Sequence, residues 1–446
     1  MELTIEKLIY GGDGLARLPA DEHGRGKAVF VPFVLEGEKI EALLYQQKKG
    51  FARGWAKSIL QASPHRIEPP CPYFQRCGGC HYQHASYEHQ LEIKAAILKE
   101  NLLRIAKLEL PVELKIHPSP PWNYRNRTRL KVRIAPEFAI GYYRFNSHEL
   151  FPVEQCPISS PLINRAIAAL WQLGRSGSFA GADGVQEIEF FANADDAQLL
   201  LEAYCASNTP TDSAKHLSEI LLQALPEVTG VVAFKTSVPD PSGKRIDEPE
   251  EIASAGAKEL TYKTKHASYR VSAGAFFQVN RYLTDELVSI VTGGQSGKTV
   301  LDLYAGGGLF SSVLNREFER VIAVESSQTS HIDLVYNSPA NVKAVHGTTA
   351  QYLKNVAGKL QPDLVVVDPP RSGLGEDVVK SLASLDAPRM VYVSCDPATL
   401  ARDMGGLLGA GYRVEQAHLV DLFPQTYHLE SVLHLVRQVP SQLSPH

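Results

Sequence analysis

The feature that most limits what this chain can become lies in its last third. Four short apolar runs, TVLDLYA (299–305), RVIAVES (320–326), PDLVVVD (362–368) and MVYVSC (390–395), alternate there with stretches of helical spacing. Runs this rich in β-branched residues are strands covered on both faces, and strands that alternate with helices make a parallel sheet between two helical layers. Ligands of such sheets collect at the carboxyl ends of the strands. The chemistry is therefore sought around residues 302–311, 325, 368–371 and 395–397.

This pattern accounts for less than half of the chain. At roughly 150 residues per domain, 446 residues predict about three units. Residues 1–62 read as short strands broken by glycines (LTIEKLIYGG, GKAVFVPFV, KIEALLYQQKK, GWAKSILQ), the pattern of a small β-barrel. The Pro-rich joint SPHRIEPPCP opens a central α+β unit, 63–272, and the parallel sheet occupies 273–446. In the central unit the spacing predicts a helix over 86–107 with Leu91, Ala95, Leu98, Leu102 and Ile105 on one face. Further helices fall near 160–173 and 212–224, strands at QEIEFFAN, LLLEAYC and GVVAFKT, and a polar loop at PDPSGKRIDEPEE.

Composition removes several classes. A chain that is 44% hydrophobic and 21% charged is neither wholly disordered nor collagen-like. No run approaches the ~20 apolar residues a membrane-crossing helix needs. The start, MELTIEKLIYGGDG, lacks the basic tip and apolar stretch of a secretory signal, so a cytoplasmic protein is expected. The net charge of −4 hides an asymmetry: residues 1–135 carry 21 Lys and Arg against 14 Asp and Glu, and the excess acid lies behind them. The front is thus the expected meeting place for a polyanion. Two segments stand out there. Residues 46–57 interleave Lys48, Lys49, Arg53 and Lys57 with Phe51 and Trp55, which suits phosphate neutralisation and base stacking as well as a solvated barrel edge. On a strand, Arg125, Arg127, Arg129, Lys131 and Arg133 all point one way, and that row predicts a nucleic-acid contact.

The first run of the parallel sheet ends in Asp302-Leu303-Tyr304-Ala305-Gly306-Gly307-Gly308, and the second closes on Glu325, a carboxylate placed to hold ribose hydroxyls. Ser311 stands where a dinucleotide fingerprint needs its third glycine, so the turn suits S-adenosylmethionine, which has no pyrophosphate, better than NAD. Asp368 is followed by two prolines that fix the backbone at the strand mouth. Cys395 closes the fourth run beside a helix start whose dipole favours a thiolate, and Glu430 opens the last strand after FPQTYHL, where its carboxylate can face the cleft. A second thiol cluster, Cys71, Cys77 and Cys80 with Cys156 further on, has the spacing of a metal centre. Four thiolates fit either zinc or an iron–sulfur cluster.

Taken in order, FFQVN (276–280), LDLYAGGG, VDPPR, SCDP and FPQTYHLE resemble the RNA uracil-5 methyltransferases, over nearly the whole chain. The resemblance implies an α/β fold with a Rossmann-like class I methyltransferase domain at the C-terminus, an N-terminal OB-type TRAM barrel for RNA, and a 4Fe–4S cluster in the central unit. By it Gln278, Tyr304, Glu325 and Asp368 hold the methyl donor S-adenosylmethionine, Cys395 is the nucleophile, Glu430 the base, and Cys71, Cys77, Cys80 and Cys156 the cluster ligands. Several members carry a polar side chain, often Asn, after the last glycine of the first turn, where this chain has Leu309.

The implied chemistry explains the residue types. Uracil carbon 5 is a poor nucleophile until a thiolate adds at carbon 6, and the carbon-5 proton must then be removed before the thiolate can leave. The expected substrate is RNA, 23S ribosomal RNA in the first place and transfer RNA as the alternative, with the protein acting as a monomer and the cluster structural or RNA-ordering. Two other readings remain at this stage: an iron–sulfur oxidoreductase that binds a dinucleotide, and an RNA-binding protein without catalysis.

Overall fold

The computed structural model describes residues 1–20, 26–236 and 250–438. Most of the polar loop predicted at 239–251 lies outside them, and its last two residues begin the strand Glu250–Gly256.

The front of the chain is a six-stranded sheet in the order Glu2–Thr4, Lys39–Gln47, Phe51–Gln61, Ala28–Pro32, Asp13–Arg17, Lys7–Leu8. Its inward positions (Leu3, Ile5, Ala16, Val29, Val31, Ile40, Ala52) form one small core. Register shifts in the pairing of Lys39–Gln47 with Phe51–Gln61 are the irregularities that let two long strands bend round so little apolar volume.

A seven-stranded mixed sheet follows, in the order Leu150–Pro152, Ala139–Tyr143, Arg127–Arg133, Val185–Ala192, Leu199–Cys205, Val228–Lys235, Glu250–Gly256. The helices Pro161–Arg175 and Thr211–Leu222 cover it, close to the predicted spans. The first is started by Ser160, whose side chain accepts from the Ile163 N–H, with Pro161 following it.

This sheet corrects the reading of the basic row. Arg129 and Lys131 stand opposite Glu189 and Glu187 on the adjacent strand. Arg127 is buried and ion-paired to Glu189 and Glu202, Arg129 donates to Glu189 (2.5 Å) and to the Tyr204 hydroxyl (2.7 Å), and Lys131 pairs with Glu187. The three inner members of the row are answered from within the sheet, while Arg125 and Arg133 donate to the carbonyls of Arg127 and Glu137. Cross-strand neighbours supply the counter-charge, and these are invisible when one strand is read alone.

The C-terminal sheet has eight strands, in the order Val342–His346, Phe318–Glu325, Gly297–Leu303, Leu364–Val367, Arg389–Ser394, Glu430–Arg437, Tyr412–Val420, Leu114–His117. The first five are parallel, while Glu430–Arg437 runs antiparallel to both its neighbours. Separate cores cover its two faces. The four predicted strands are all present. Val342–His346 was not foreseen, because it is a short edge strand whose VKAVH sequence carries polar residues.

Leu114–His117 was not foreseen either, and with it the helix Tyr87–Asn101 packs into the core of the C-terminal sheet. Leu98 and Leu102 are buried as predicted, but Ile105 is 47% exposed. The chain widens into a π-helical turn at Leu102–Ala106, which rotates the last side chains off the 3.6-residue line. Lys94 sits on the buried face of this helix. It donates to Asp421 (2.6 Å) and to the Phe423 carbonyl (2.9 Å), while Gln90 and Gln425 hydrogen-bond each other in both directions. The helix thereby fixes residues 421–425, which lead into the last strand.

Candidate active site

The strand order reverses between Gly297–Leu303 and Leu364–Val367, one strand leading outward on each side, and the crevice of a parallel sheet opens at such a point. A cavity of about 720 Å³ lies there. Gln278, Tyr304, Glu325, Asp368, Cys395 and Glu430 all line it, together with Phe276, Arg371, Phe423 and His428.

The turn after the first strand builds one wall. Tyr304 (φ 63°), Gly306 (φ 54°) and Gly308 (φ 90°) all adopt left-handed backbone, a conformation that glycine takes without strain. A Cβ at Gly308 would come within 2.9 Å of the Leu334 side chain, while Gly306 faces the cavity. Glu325 locks this wall: its two oxygens accept from the N–H groups of Gly306 (2.8 Å) and Ser327 (2.7 Å). Leu309 points into the core and only its carbonyl is engaged, by the Tyr269 hydroxyl (3.0 Å). Asp302 lies beneath the turn, fully buried, holding the Ser311 hydroxyl at 2.5 Å. Burial pushes its carboxyl up to about 7.

The opposite wall carries the reactive groups. Ser394 pairs with Ser431 across antiparallel strands, so Cys395 and Glu430 are the next residues on each. This pairing explains how positions 35 residues apart in sequence reach one pocket. Burial pushes the Cys395 thiol up to about 12, the carboxylates of Glu430 and Asp368 push the same way, and the Arg371 guanidinium opposes them. Glu430 is raised well above the carboxylate range by burial and by Asp368, and Asp368 is raised to about 7 by burial and by Asp302. The expected thiolate-favouring dipole does not prevail in this resting site. The helix Pro397–Gly409 does start here, but Asp396 caps it, its side chain accepting from Ala398 and Thr399, so the free N–H groups that would hold a thiolate are already taken.

Sequence reading missed three neighbours. Arg371 follows the two prolines and lies 3.4 Å from His428, whose imidazole is lowered to about 3 by burial and is therefore neutral. Tyr10, from the front sheet, donates to the Cys395 carbonyl (3.2 Å) and meets the Tyr427 ring edge-on. Arg371 could have been suspected from its place in VDPPR. Tyr10 gives no such signal.

Cys71, Cys77, Cys80 and Cys156 line one adjoining cavity of about 430 Å³, which shares Arg371, Phe423 and His428 with the first. Burial raises Cys77 to about 12 and Cys80 well above the thiol range, and the neighbouring thiols push in the same direction. Arg125 and Arg129 also line this cavity, and no carboxylate does among the described residues. Four thiols facing one space fit a cationic metal centre, which relieves the repulsion that their ionisation would create.

Among the described residues no helix is long and apolar enough to cross a membrane. The family model for tRNA (Uracil-5-)-methyltransferases matches residues 86–438, and the TRAM domain model matches residues 1–57. An RNA methyltransferase of Aquifex aeolicus is 34% identical over 97% of both chains, and one of Caldanaerobacter subterraneus is 32% identical over 97% of this chain and 96% of the relative. Among solved structures, Pyrococcus abyssi tRNA (uracil-54, C5)-methyltransferase in complex with S-adenosyl-L-homocysteine superposes with a TM-score of 0.73. It covers 98% of this chain and 100% of its own, at 23% identity.

Proposed function

Since this chain belongs to the RNA uracil-5-methyltransferase family and is an S-adenosylmethionine-dependent enzyme with a TRAM domain, we propose that it methylates carbon 5 of uridine in 23S ribosomal RNA through a covalent Cys395 adduct. The observation that carries this reading is the single cavity that Gln278, Tyr304, Glu325, Asp368, Cys395 and Glu430 share at the reversal of strand order. The same reading divides the chain near residues 62 and 272, with Tyr87–Asn101 and Leu114–His117, inside the middle segment, packing into the last unit.

Gln278, Tyr304, Glu325 and Asp368 hold S-adenosylmethionine, and the Gly306 backbone facing the cavity leaves room for it. When bound, the donor supplies an electrophilic methyl group. Cys395 adds to uracil carbon 6, its proton passing to a carboxylate of the pocket, and the electron pair displaced from the ring double bond makes carbon 5 nucleophilic. After carbon 5 is methylated, Glu430 takes the carbon-5 proton, the ring double bond re-forms and the carbon–sulfur bond breaks. Glu430, whose carboxyl is raised by burial and by Asp368, stands across from Cys395 where it can carry that proton. Arg371 faces the thiol and favours its ionised form.

Cys71, Cys77, Cys80 and Cys156 hold a 4Fe–4S cluster in this reading, with Arg125 beside the thiols as a fixed positive charge. Sulfurs around an open cavity suit a multi-iron core better than one zinc ion. The backbone N–H groups of His81 and Tyr82, next to Cys80, donate to the Gln425 carbonyl, so an ordered cluster loop supports the segment that carries His428. A structural role follows.

The direct test is a mass-spectrometric map of 5-methyluridine in ribosomal and transfer RNA from cells with and without the protein. Loss from 23S ribosomal RNA is the expected result, and loss confined to transfer RNA assigns the alternative substrate. Incubation with 5-fluorouridine RNA and donor should trap a covalent protein–RNA adduct, and its absence would overturn the thiolate mechanism.

A further inference from the structure

A third cavity, of about 450 Å³, opens in the seam between the front sheet and the body of the protein. Its walls include Tyr10, Phe30, Tyr45 and Phe145, with Arg53 and Asp13 beside them. Tyr45 and Trp55 are 48% and 37% exposed and lie stacked, with ring centres 5.3 Å apart. From this exposed pair the rings continue inward: Trp55 to Phe145 at 5.9 Å, Phe145 to His81 at 6.2 Å, His81 to Tyr427 at 4.6 Å, Tyr427 to His428 at 4.1 Å. His428 already lines the cavity of Cys395.

Such a series exceeds what packing the front sheet against the body requires, because its outer members remain open to solvent. The inner rings meet edge-on or tilted and pack against one another, whereas the stacked and exposed Tyr45–Trp55 pair offers ring faces on which unstacked bases stack without regard to sequence. Lys48 and Arg53 stand over the Phe51 ring at 5.7 and 5.9 Å, at the edge where a sugar–phosphate chain would pass. Asp13, on the cavity wall, repels a phosphate but accepts a hydrogen bond from a base edge.

We propose that the seam cavity binds a second base of the RNA, one flanking the target uridine, which stacks on Tyr45, the cavity-lining member of the exposed Tyr45–Trp55 pair. This rests on the RNA substrate proposed above. The front sheet then holds the strand open next to the flipped-out nucleotide, where unstacking costs energy that new stacking offsets.

The probe is a single-stranded RNA of about a dozen nucleotides with one uridine, carrying 2-aminopurine at each flanking position in turn. With the full-length protein, fluorescence at one of these positions should be quenched. Tyr45→Ala should abolish that quench and weaken binding about tenfold, while Tyr45→Phe keeps both. Arg53→Gln should weaken binding and reduce its salt dependence by about one ion. Tyr336→Ala, which removes another exposed tyrosine, should change neither signal. Wild-type quench and affinity in Tyr45→Ala would overturn the proposal and leave the rings a packing role. Transfer of labelled methyl, measured separately, keeps the two readings apart. Position-specific quench without transfer refutes the enzymatic reading alone, and transfer without quench refutes the flanking-base site alone.

Discussion

Two adjoining cavities in this protein are both lined by buried or half-buried cysteines, and they differ in what faces the sulfur. Around Cys395 the walls bring Glu430 and Asp368, groups that carry protons, with Arg371 as a counterweight. Around Cys71, Cys77, Cys80 and Cys156 the walls bring Arg125, Arg129 and Arg371 and, among the described residues, no carboxylate. Burial alone pushes both sets of thiols the same way. The neighbours decide their use. A thiol beside carboxylates can exchange its proton with them during a reaction, whereas thiols beside guanidinium groups are favoured as thiolates, the form a metal ligand must take.

The contrast breaks most sharply if Cys395 is removed. Cys395→Ala should lower methyl transfer by at least about 10³-fold with RNA affinity retained, measured as labelled methyl incorporation beside a binding assay. Glu430→Gln should lower turnover by about 10²- to 10³-fold while a protein–RNA adduct accumulates on denaturing gels, since addition survives and release does not. In the other cavity, Cys77→Ser should remove iron and the visible absorbance of the purified protein and lower its Tm, yet leave the rate of Cys395 alkylation unchanged.

The smallest effect concerns pH. Only the thiolate is alkylated, and the folded thiol is raised to about 12, so iodoacetamide should label Cys395 slowly at pH 7 and faster as pH rises toward 12. Taking away the Glu430 charge removes one cause of that upward shift. The midpoint in Glu430→Gln should therefore fall, and an unchanged midpoint would mean that the carboxylate does not face the sulfur.

Much of the C-terminal half was legible in the sequence, because a strand buried on both faces has to be a nearly uninterrupted apolar run. The residues at its ends, Tyr304, Glu325, Asp368 and Cys395, follow from the rule that such sheets open at one edge. Glu430 was harder, since facing the cleft depends on an antiparallel register that local pattern does not specify. The basic row misled for a related reason. Its partners Glu187, Glu189 and Glu202 lie more than 50 residues away in sequence and meet it only across the sheet.

By itself the sequence determined which segments are strands, which thiols cluster, and which ordered motifs mark an S-adenosylmethionine-dependent RNA methyltransferase. These properties are local or nearly so, written in hydrophobic period and residue spacing. Only the tertiary structure decided that Tyr10 reaches the Cys395 carbonyl, that the helix Tyr87–Asn101 serves the C-terminal sheet, that Arg127, Arg129 and Lys131 are neutralised, and that a run of rings joins the front sheet to the reactive cavity. Each of these is a contact between distant parts of the chain. Such contacts depend on how whole sheets pack, and no periodicity within a single segment encodes that.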